Sequence, residues 1–219
     1  MISTVIFDLD GTLADTSRDL IFAANGALTA LGAGSPLDPD RDAHTAFRGG
    51  LAMLKLGLSR AGVEADLAAG HKHLLALYGE GIARETRLYD GVRACVAELQ
   101  AKGMKLGICT NKPEGLAEKL MGALDFRAPF HALVGGDTLP VRKPKADPYD
   151  LTLTRLGAER AGSVLIGDTE TDRETARACG VPCVLVTFGP DGQDVAKLNP
   201  EALLDHFDDL PLLLERLQR

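Results

Sequence analysis

The sequence predicts an α/β fold: a Rossmann-like parallel sheet core with helices on both faces, plus an inserted α-helical cap. After residue 91, short apolar runs alternate with helical segments, a pattern typical of a parallel sheet covered on both faces. Between residues 16 and 84 the apolar spacing is helical throughout. We therefore expect an α/β core formed by residues 1–15 and 86–219, and a helical cap formed by residues 16–85.

The first strand is expected near residues 3–8, and helical segments of the cap follow it. The first segment has apolar residues at helical spacing up to Leu31 and ends at Gly32-Ala33-Gly34. A polar loop leads to a second segment around residues 51–58, and a third covers residues 65–83. No stretch of the cap has the alternation or the β-branched content that is typical of a strand.

In the core, strands and helices alternate after Gly91. The strands are apolar runs, and Pro113 stands in the first turn of a helix, where its missing N–H removes no hydrogen bond. The expected strands cover residues 105–109, 132–134, 164–166 and 183–186. The expected helices cover residues 92–102, 113–124, 148–156, 170–179 and 200–217.

Composition and charge narrow the classes of partner. The 219 residues are 45% hydrophobic, which is enough for a sizeable core, and the net charge of −7 argues against a general nucleic-acid binder. No apolar run approaches the ~20 residues needed to span a bilayer, and the four cysteines form no CxxC pair. We expect a cytoplasmic protein, monomeric or homodimeric, with no nucleic-acid or membrane partner.

The end of the first strand carries two carboxylates one residue apart. Val5-Ile6-Phe7 runs directly into Asp8, Leu9 and Asp10. Side chains alternate in an extended segment, so Asp8 and Asp10 are expected on the same side. Two carboxylates this close repel each other unless a cation or a shared proton relieves the repulsion. The pattern predicts a metal site or an acid/base site at the carboxyl end of the strand.

Further polar residues follow other predicted strands of the core. Because the carboxyl ends of parallel strands meet at one edge of a sheet, we expect these side chains to converge with the first pair. They are Thr110 and Asn111, Lys143, and Asp168. Carboxylates, a hydroxyl, an amide and a lysine together are the groups that phosphoryl transfer requires.

This set of residues predicts a division of roles. Asp8, Asp168 and the backbone carbonyl of Asp10 supply oxygen ligands of the kind that Mg²⁺ prefers. Thr110, Asn111 and Lys143 supply donors to the phosphoryl oxygens. Asp8 is the expected nucleophile, since a carboxylate can attack phosphorus to form an acyl phosphate. Asp10 is the expected general acid and base.

At these residues the chain resembles the haloacid dehalogenase-like superfamily, in its phosphatase branch with a helical cap after the first strand. The resemblance rests on four motifs in order: Asp8-Leu9-Asp10-Gly11-Thr12-Leu13, then Thr110-Asn111, then Lys143 before Pro144, then Gly167-Asp168-Thr169 with Asp172. It implies that Lys143 balances the charge of nucleophile and phosphate. It also implies that Asp172 supports the magnesium site, as a ligand or through other ligands.

Within that superfamily the chain is most similar to phosphoglycolate phosphatases, in the run Asp10 to Thr16 and in Arg142-Lys143-Pro144-Lys145-Ala146-Asp147-Pro148. This similarity implies 2-phosphoglycolate as the substrate, cleaved to glycolate and phosphate. A sugar-phosphate mutase of the β-phosphoglucomutase type shares the aspartates and the cap type, so it stays open. Phosphatases of other small metabolites, such as sugar phosphates, nucleotides and pyrophosphate, stay open too, as does a binding module without activity.

Some residues have ordinary structural readings that compete with functional ones. Asp172 falls in the expected first turn of a helix, where a solvated carboxylate with no role in the site is also expected. Arg48 precedes two glycines in the cap, where a cation on a flexible turn could contact a substrate carboxylate. A surface arginine on a loop explains Arg48 equally well. The sequence leaves both alternatives open.

Overall fold

The structure, a computed structural model, describes residues 1–217 of the chain. Contacts among the described residues divide the chain into two compact units. The first, here called the α/β unit, comprises Met1–Ala14 and Leu88–Arg219, and the second, the helical unit, comprises Asp15–Arg87. The expected cap, residues 16–85, differs from the helical unit by one residue at its start and two at its end.

The helical unit consists of packed helices with buried leucines between them. The helices are α1 (Ser17–Ala30), α2 (Ala43–Ala46), α3 (Gly50–Ala61) and α4 (Leu67–Glu80). At Gly57 the helices α1 and α3 approach so closely that an added Cβ would lie 2.2 Å from Leu28 Cδ1. The buried carboxylate of Asp19 accepts hydrogen bonds from the backbone N–H groups of Glu85 and Thr86, which joins the two ends of the unit.

The α/β unit contains a parallel sheet with six strands among the described residues. In chain order the strands are β1 (Thr4–Phe7), β2 (Lys105–Cys109), β3 (Ala132–Val134), β4 (Ser163–Gly167), β5 (Cys183–Val186) and β6 (Ala202–Leu204). Their order in space is β3-β2-β1-β4-β5-β6, with every neighbouring pair parallel. The predicted fold class, an α/β protein with a parallel sheet, is confirmed.

Helices cover both faces of this sheet. They are α5 (Val92–Ala101), α6 (Glu114–Ala123), α7 (Asp147–Leu156), α8 (Glu170–Cys179) and α9 (Leu210–Arg216). On one face Ile6 belongs to a buried cluster with Tyr149 of α7. On the other face Phe7 packs against Phe130 and Phe207, with ring centroids 6.0 and 6.5 Å apart. No helix within residues 1–217 is long and apolar enough to cross a membrane.

The strand order places a crevice at the carboxyl ends of the central strands. The chain moves from β1 to β2 and β3 on one side, then crosses β1 to build β4, β5 and β6 on the other side. The register pairs Phe7 with Ile108 of β2 and with Ile166 of β4. Ligands of open α/β sheets bind where the strand order reverses in this way. The residues that follow β1, β2 and β4 therefore meet at this point.

The expectation of helix throughout residues 200–217 was wrong in part. Ala202–Leu204 forms β6, which pairs with the free side of β5, and helix begins only at Leu210 after a 3-10 turn over Phe207–Asp209. A run of alanine and two leucines fits a strand or a helix equally well, so the open edge of β5 decides its conformation. Gly192–Leu198 also forms a 3-10 helix that the apolar pattern does not indicate.

Two glycines after β3 allow a close approach of backbone segments. An added Cβ on Gly135 would lie 2.3 Å from the backbone nitrogen of Glu114, the first residue of α6. An added Cβ on Gly136 would lie 2.3 Å from the carbonyl oxygen of Asn111. Only residues without a side chain fit at these positions, and they fix the loop between β2 and α6.

We predict that Gly135→Ala destabilises the protein by about 1–3 kcal/mol, because backbone atoms rather than a flexible side chain must move. The matched control is Gly122→Ala in α6, where no atom lies within 4 Å of the added Cβ. Alanine is the better helix former, so the control is expected to stabilise by up to about 1 kcal/mol. Thermal unfolding of both variants measures the difference. Equal stability of the two variants would contradict the close-approach argument.

Candidate active site

The carboxylates that follow β1 lie at the end of the sheet ladder. The Asp8 backbone N–H donates to the Ile166 carbonyl at 2.9 Å, which continues the pairing with β4 by one residue. The Leu9 N–H donates to Asp8 Oδ1 at 2.7 Å. Gly11 then turns the chain with a φ of +82°, a conformation that glycine adopts without strain. The side chains of Asp8 and Asp10 remain 14% and 19% exposed, so both are accessible to a small ligand.

Lys143 places a buried ammonium between two of the carboxylates. Its Nζ lies 3.1 Å from Asp8 Oδ1 and 2.7 Å from Asp172 Oδ1, and its side chain is 1% exposed. Burial opposes the charge, but the carboxylates of Asp172 and Asp8 outweigh this effect and raise the pKa of Lys143. Lys143 is therefore a permanent cation in the site.

The loop after β4 carries Asp168, and the side chain of Asp172 accepts hydrogen bonds from the backbone of this loop. Asp172 Oδ2 accepts hydrogen bonds from the Asp168 N–H, the Thr169 N–H and the Thr169 hydroxyl at 3.2, 3.2 and 2.9 Å. This capping box starts α8 and uses the oxygen that does not face Lys143. Gly167 is required here, because an added Cβ would lie 2.3 Å from Asp172 Cγ.

Asp168 has one oxygen that is satisfied and one that is not. Oδ1 accepts from the Thr12 hydroxyl at 2.8 Å. Oδ2 is buried and has no hydrogen-bond partner among the described residues. A buried carboxylate oxygen without a partner costs free energy unless a cation or donor approaches it. Asp168 is therefore suited to bind a ligand that the protein alone does not provide.

Ligand oxygens of Asp8, Asp168 and Asp172 all lie within 4.8 Å of one another. Burial raises the pKa of Asp8 to about 6, with further increases from Asp172 and Asp10, even though Lys143 lowers it. Burial also raises the pKa of Asp168, to which the charges of Asp172 and Asp8 add. A divalent cation fits this donor set, because it would neutralise the crowded carboxylates and occupy the unpartnered Asp168 oxygen.

Thr110 and Asn111 follow β2 at the same edge of the sheet. The Thr110 backbone N–H donates to the Val134 carbonyl, and its hydroxyl oxygen accepts from the Lys112 N–H at 3.2 Å. Within residues 1–217, the Thr110 hydroxyl hydrogen has no acceptor. The Asn111 amide nitrogen donates to the Lys143 carbonyl at 3.1 Å, so this side-chain donor already holds the lysine loop.

Lys112 also contacts the site directly, although no motif of the sequence predicted it. Its Nζ lies 2.9 Å from both carboxylate oxygens of Asp10. The available signal was its position directly after the Thr110-Asn111 pair and before Pro113. Lysines after strands are commonly solvated, so position alone did not distinguish it.

Arg48 belongs to the helical unit. It lies between α2 and α3, and its side chain is exposed. The described contacts of Arg48 are backbone hydrogen bonds of the local turn, with its N–H donating to the Thr45 carbonyl. Its role as a substrate contact remains a prediction.

The chain is similar to proteins of one family over most of its length. The model of the haloacid dehalogenase-like hydrolase family matches residues 5–186. The chain is 37% identical to a phosphoglycolate phosphatase of Mesorhizobium japonicum, over 98% of this chain and 96% of the relative. It is 38% identical to one of Rhodospirillum rubrum, over 96% and 90%.

Among solved structures, a predicted phosphoglycolate phosphatase from Haemophilus somnus has the same fold. It superposes with a TM-score of 0.87 at 24% identity, covering 97% of each chain. The motif resemblance is therefore confirmed at the level of the family: the chain belongs to the haloacid dehalogenase-like hydrolases.

Proposed function

We propose that the protein is a Mg²⁺-dependent phosphatase that hydrolyses a small phosphate monoester through an aspartyl-phosphate intermediate. One observation carries the proposal: oxygens of Asp8 and Asp168 lie within 4.8 Å of each other at an accessible sheet edge, and the buried ammonium of Lys143 lies 3.1 Å from Asp8. A lone carboxylate is a weak nucleophile toward a dianionic phosphate, because like charges repel. Lys143 supplies a fixed positive charge beside Asp8, which offsets that repulsion.

Magnesium is the cation that best fits the donor set. Asp8, Asp168 and the backbone carbonyl of Asp10 would hold it, with Asp172 orienting Asp168 and Lys143 rather than serving as a ligand. Both Asp172 oxygens already accept hydrogen bonds, which favours an orienting role for Asp172 over a role as a metal ligand. When bound, the cation neutralises charge on the carboxylates and on the phosphoryl oxygens.

The chain's residues would perform the reaction in two displacements. In the first, an Asp8 oxygen bonds to phosphorus, the bond between phosphorus and the leaving oxygen breaks, and Asp10 protonates that oxygen. In the second, a water oxygen bonds to phosphorus, Asp10 accepts the water proton, and the Asp8–phosphorus bond breaks. Thr110 and the backbone N–H groups of its loop would donate to the phosphoryl oxygens, and Lys143 offsets their charge.

The relatives support 2-phosphoglycolate as the substrate, since the most similar ones reported above are named phosphoglycolate phosphatases. This substrate carries a carboxylate beside the phosphate, and the exposed Arg48 of the helical unit is a candidate to contact it. We further propose a cytoplasmic location. All four cysteines are free buried thiols, which suits a reducing compartment.

Phosphate release across a panel of substrates tests the proposed function. The panel contains 2-phosphoglycolate, β-glucose 1-phosphate, nucleoside monophosphates and pyrophosphate, each with magnesium and with EDTA. We expect magnesium-dependent release with a preference for 2-phosphoglycolate. A preference for another substrate would support the phosphatase activity and would exclude 2-phosphoglycolate as the preferred substrate. Isomerisation of the sugar phosphate without release would favour a mutase.

Asp8→Asn is expected to abolish turnover, because an amide does not form an acyl phosphate. The fold should persist, since the amide has nearly the same shape as the carboxylate. The matched control is Asp194→Asn, which removes an exposed carboxylate and should retain full activity. Steady-state phosphate release and thermal unfolding of both variants are the measurements. Activity retained in Asp8→Asn would exclude Asp8 as the nucleophile.

Magnesium should stabilise the protein more at about pH 8 than at about pH 5. The folded-state pKa of Asp8 is about 6, above its ordinary 3.8, so its protonated form stabilises the metal-free fold. That contribution is complete below pH 3.8 and is lost as pH rises through about 6. Magnesium requires the ionised carboxylates, so its binding strengthens over the same interval.

The measurement is the rise in unfolding temperature that magnesium causes, determined at each of the two pH values. Saturating magnesium is expected to raise the unfolding temperature by several degrees at the higher pH. Asp168→Asn removes a proposed ligand and should remove most of this shift. An equal shift at both pH values, or an undiminished shift in Asp168→Asn, would count against the proposed site.

A further inference from the structure

We propose that Lys112 is a positioning residue that fixes the carboxylate of Asp10 for the water-attack step. The inference rests on the proposed function. Lys112 Nζ contacts Asp10 Oδ1 and Oδ2 at 2.9 Å each, so one ammonium holds both oxygens. This charge-assisted contact holds the carboxylate group at the end of the Asp10 side chain in one place.

The burial of Lys112 separates it from ordinary surface lysines. Its side chain is 3% exposed, whereas Asp10 is 19% exposed. Removing an ammonium from water is expensive unless a carboxylate compensates for the lost hydration. Lys145, in the loop that carries Lys143, is exposed and contrasts with it. The ammonium of Lys112 is therefore shielded from solvent, whereas the carboxylate of Asp10 remains partly accessible.

Both backbone polar groups of Lys112, the N–H and the carbonyl, form hydrogen bonds. Its N–H donates to the Thr110 hydroxyl oxygen at 3.2 Å, and its carbonyl accepts from the Gly136 N–H at 2.8 Å. Pro113 follows and restricts the chain further. The lysine stem therefore begins from a fixed point on the loop that also presents Thr110. Lys112 couples the position of Asp10 to the phosphate-binding loop.

The second displacement is the step that needs this arrangement most. A water oxygen bonds to phosphorus while Asp10 accepts the water proton and the Asp8–phosphorus bond breaks. The accepting oxygen must point at the water, and misplacement of a catalytic group by about 1 Å can slow a reaction by about a hundredfold. The first displacement, when an aryl oxyanion leaves, requires no proton from Asp10.

Stopped-flow kinetics with p-nitrophenyl phosphate separates the two steps. For Lys112→Met we expect a stoichiometric burst of p-nitrophenol followed by slow turnover. We expect kcat to fall by about tenfold or more, while kcat/KM stays within about twofold of the wild type, because kcat/KM reports only the first displacement. Lys112→Arg restores an ion pair and should recover part of kcat. Lys145→Met is the matched control and should behave as the wild type.

Other kinetic outcomes would contradict either the role of Lys112 or the proposed function. Equal losses in kcat and kcat/KM without a burst would mean that Lys112 only supports the fold, and unchanged kinetics would mean that it has no role. Either result overturns the inference while leaving the phosphatase intact. A wild-type protein that releases no p-nitrophenol from this substrate and no phosphate from any substrate of the panel above would instead overturn the proposed function.

Discussion

The structure depends on one electrostatic constraint, the burial of like charges at the end of a sheet. Asp8, Asp168 and Asp172 bring carboxylate oxygens within 4.8 Å of one another, and Lys143 is the buried cation among them. Such a cluster persists only if its charges are compensated, because each buried carboxylate loses hydration. Lys143 compensates part of the charge, and the unpartnered oxygen of Asp168 marks where compensation is incomplete. The proposed cation site and the proposed phosphoryl chemistry therefore depend on the same cluster of buried charges.

The surrounding fold holds these groups in place. The reversal of strand order around β1 brings the ends of β1, β2 and β4 together, and the parallel register aligns them to within about two residues. Close backbone packing then fixes the loops. Gly136 allows the β3 loop to approach Asn111, and Gly167 leaves room for Asp172. These glycines contribute no chemistry of their own, but the positions of the charged side chains depend on them.

Much of this arrangement was predictable because a parallel sheet gathers strand ends at one edge, so Asp8, Lys143 and Asp168 were expected together. The features that the sequence did not indicate depend on tertiary contacts. β6 was missed because Ala202–Leu204 has no pattern that excludes a helix, and only the free edge of β5 decides its conformation. Lys112 was missed because the Asp10 carboxylate that it contacts lies 102 positions earlier in the chain. Local patterns carry no information about such contacts.

The central claim is that Asp8 becomes covalently phosphorylated during turnover. Rapid acid quenching of the enzyme with substrate and magnesium, followed by digestion and mass spectrometry, measures this directly. We expect the mass of one phosphoryl group on the amino-terminal peptide, located at Asp8, and its loss when the substrate is exhausted. Phosphorylation of another residue, or turnover with no labelled residue under conditions where hydrolysis is slowed, would contradict the account.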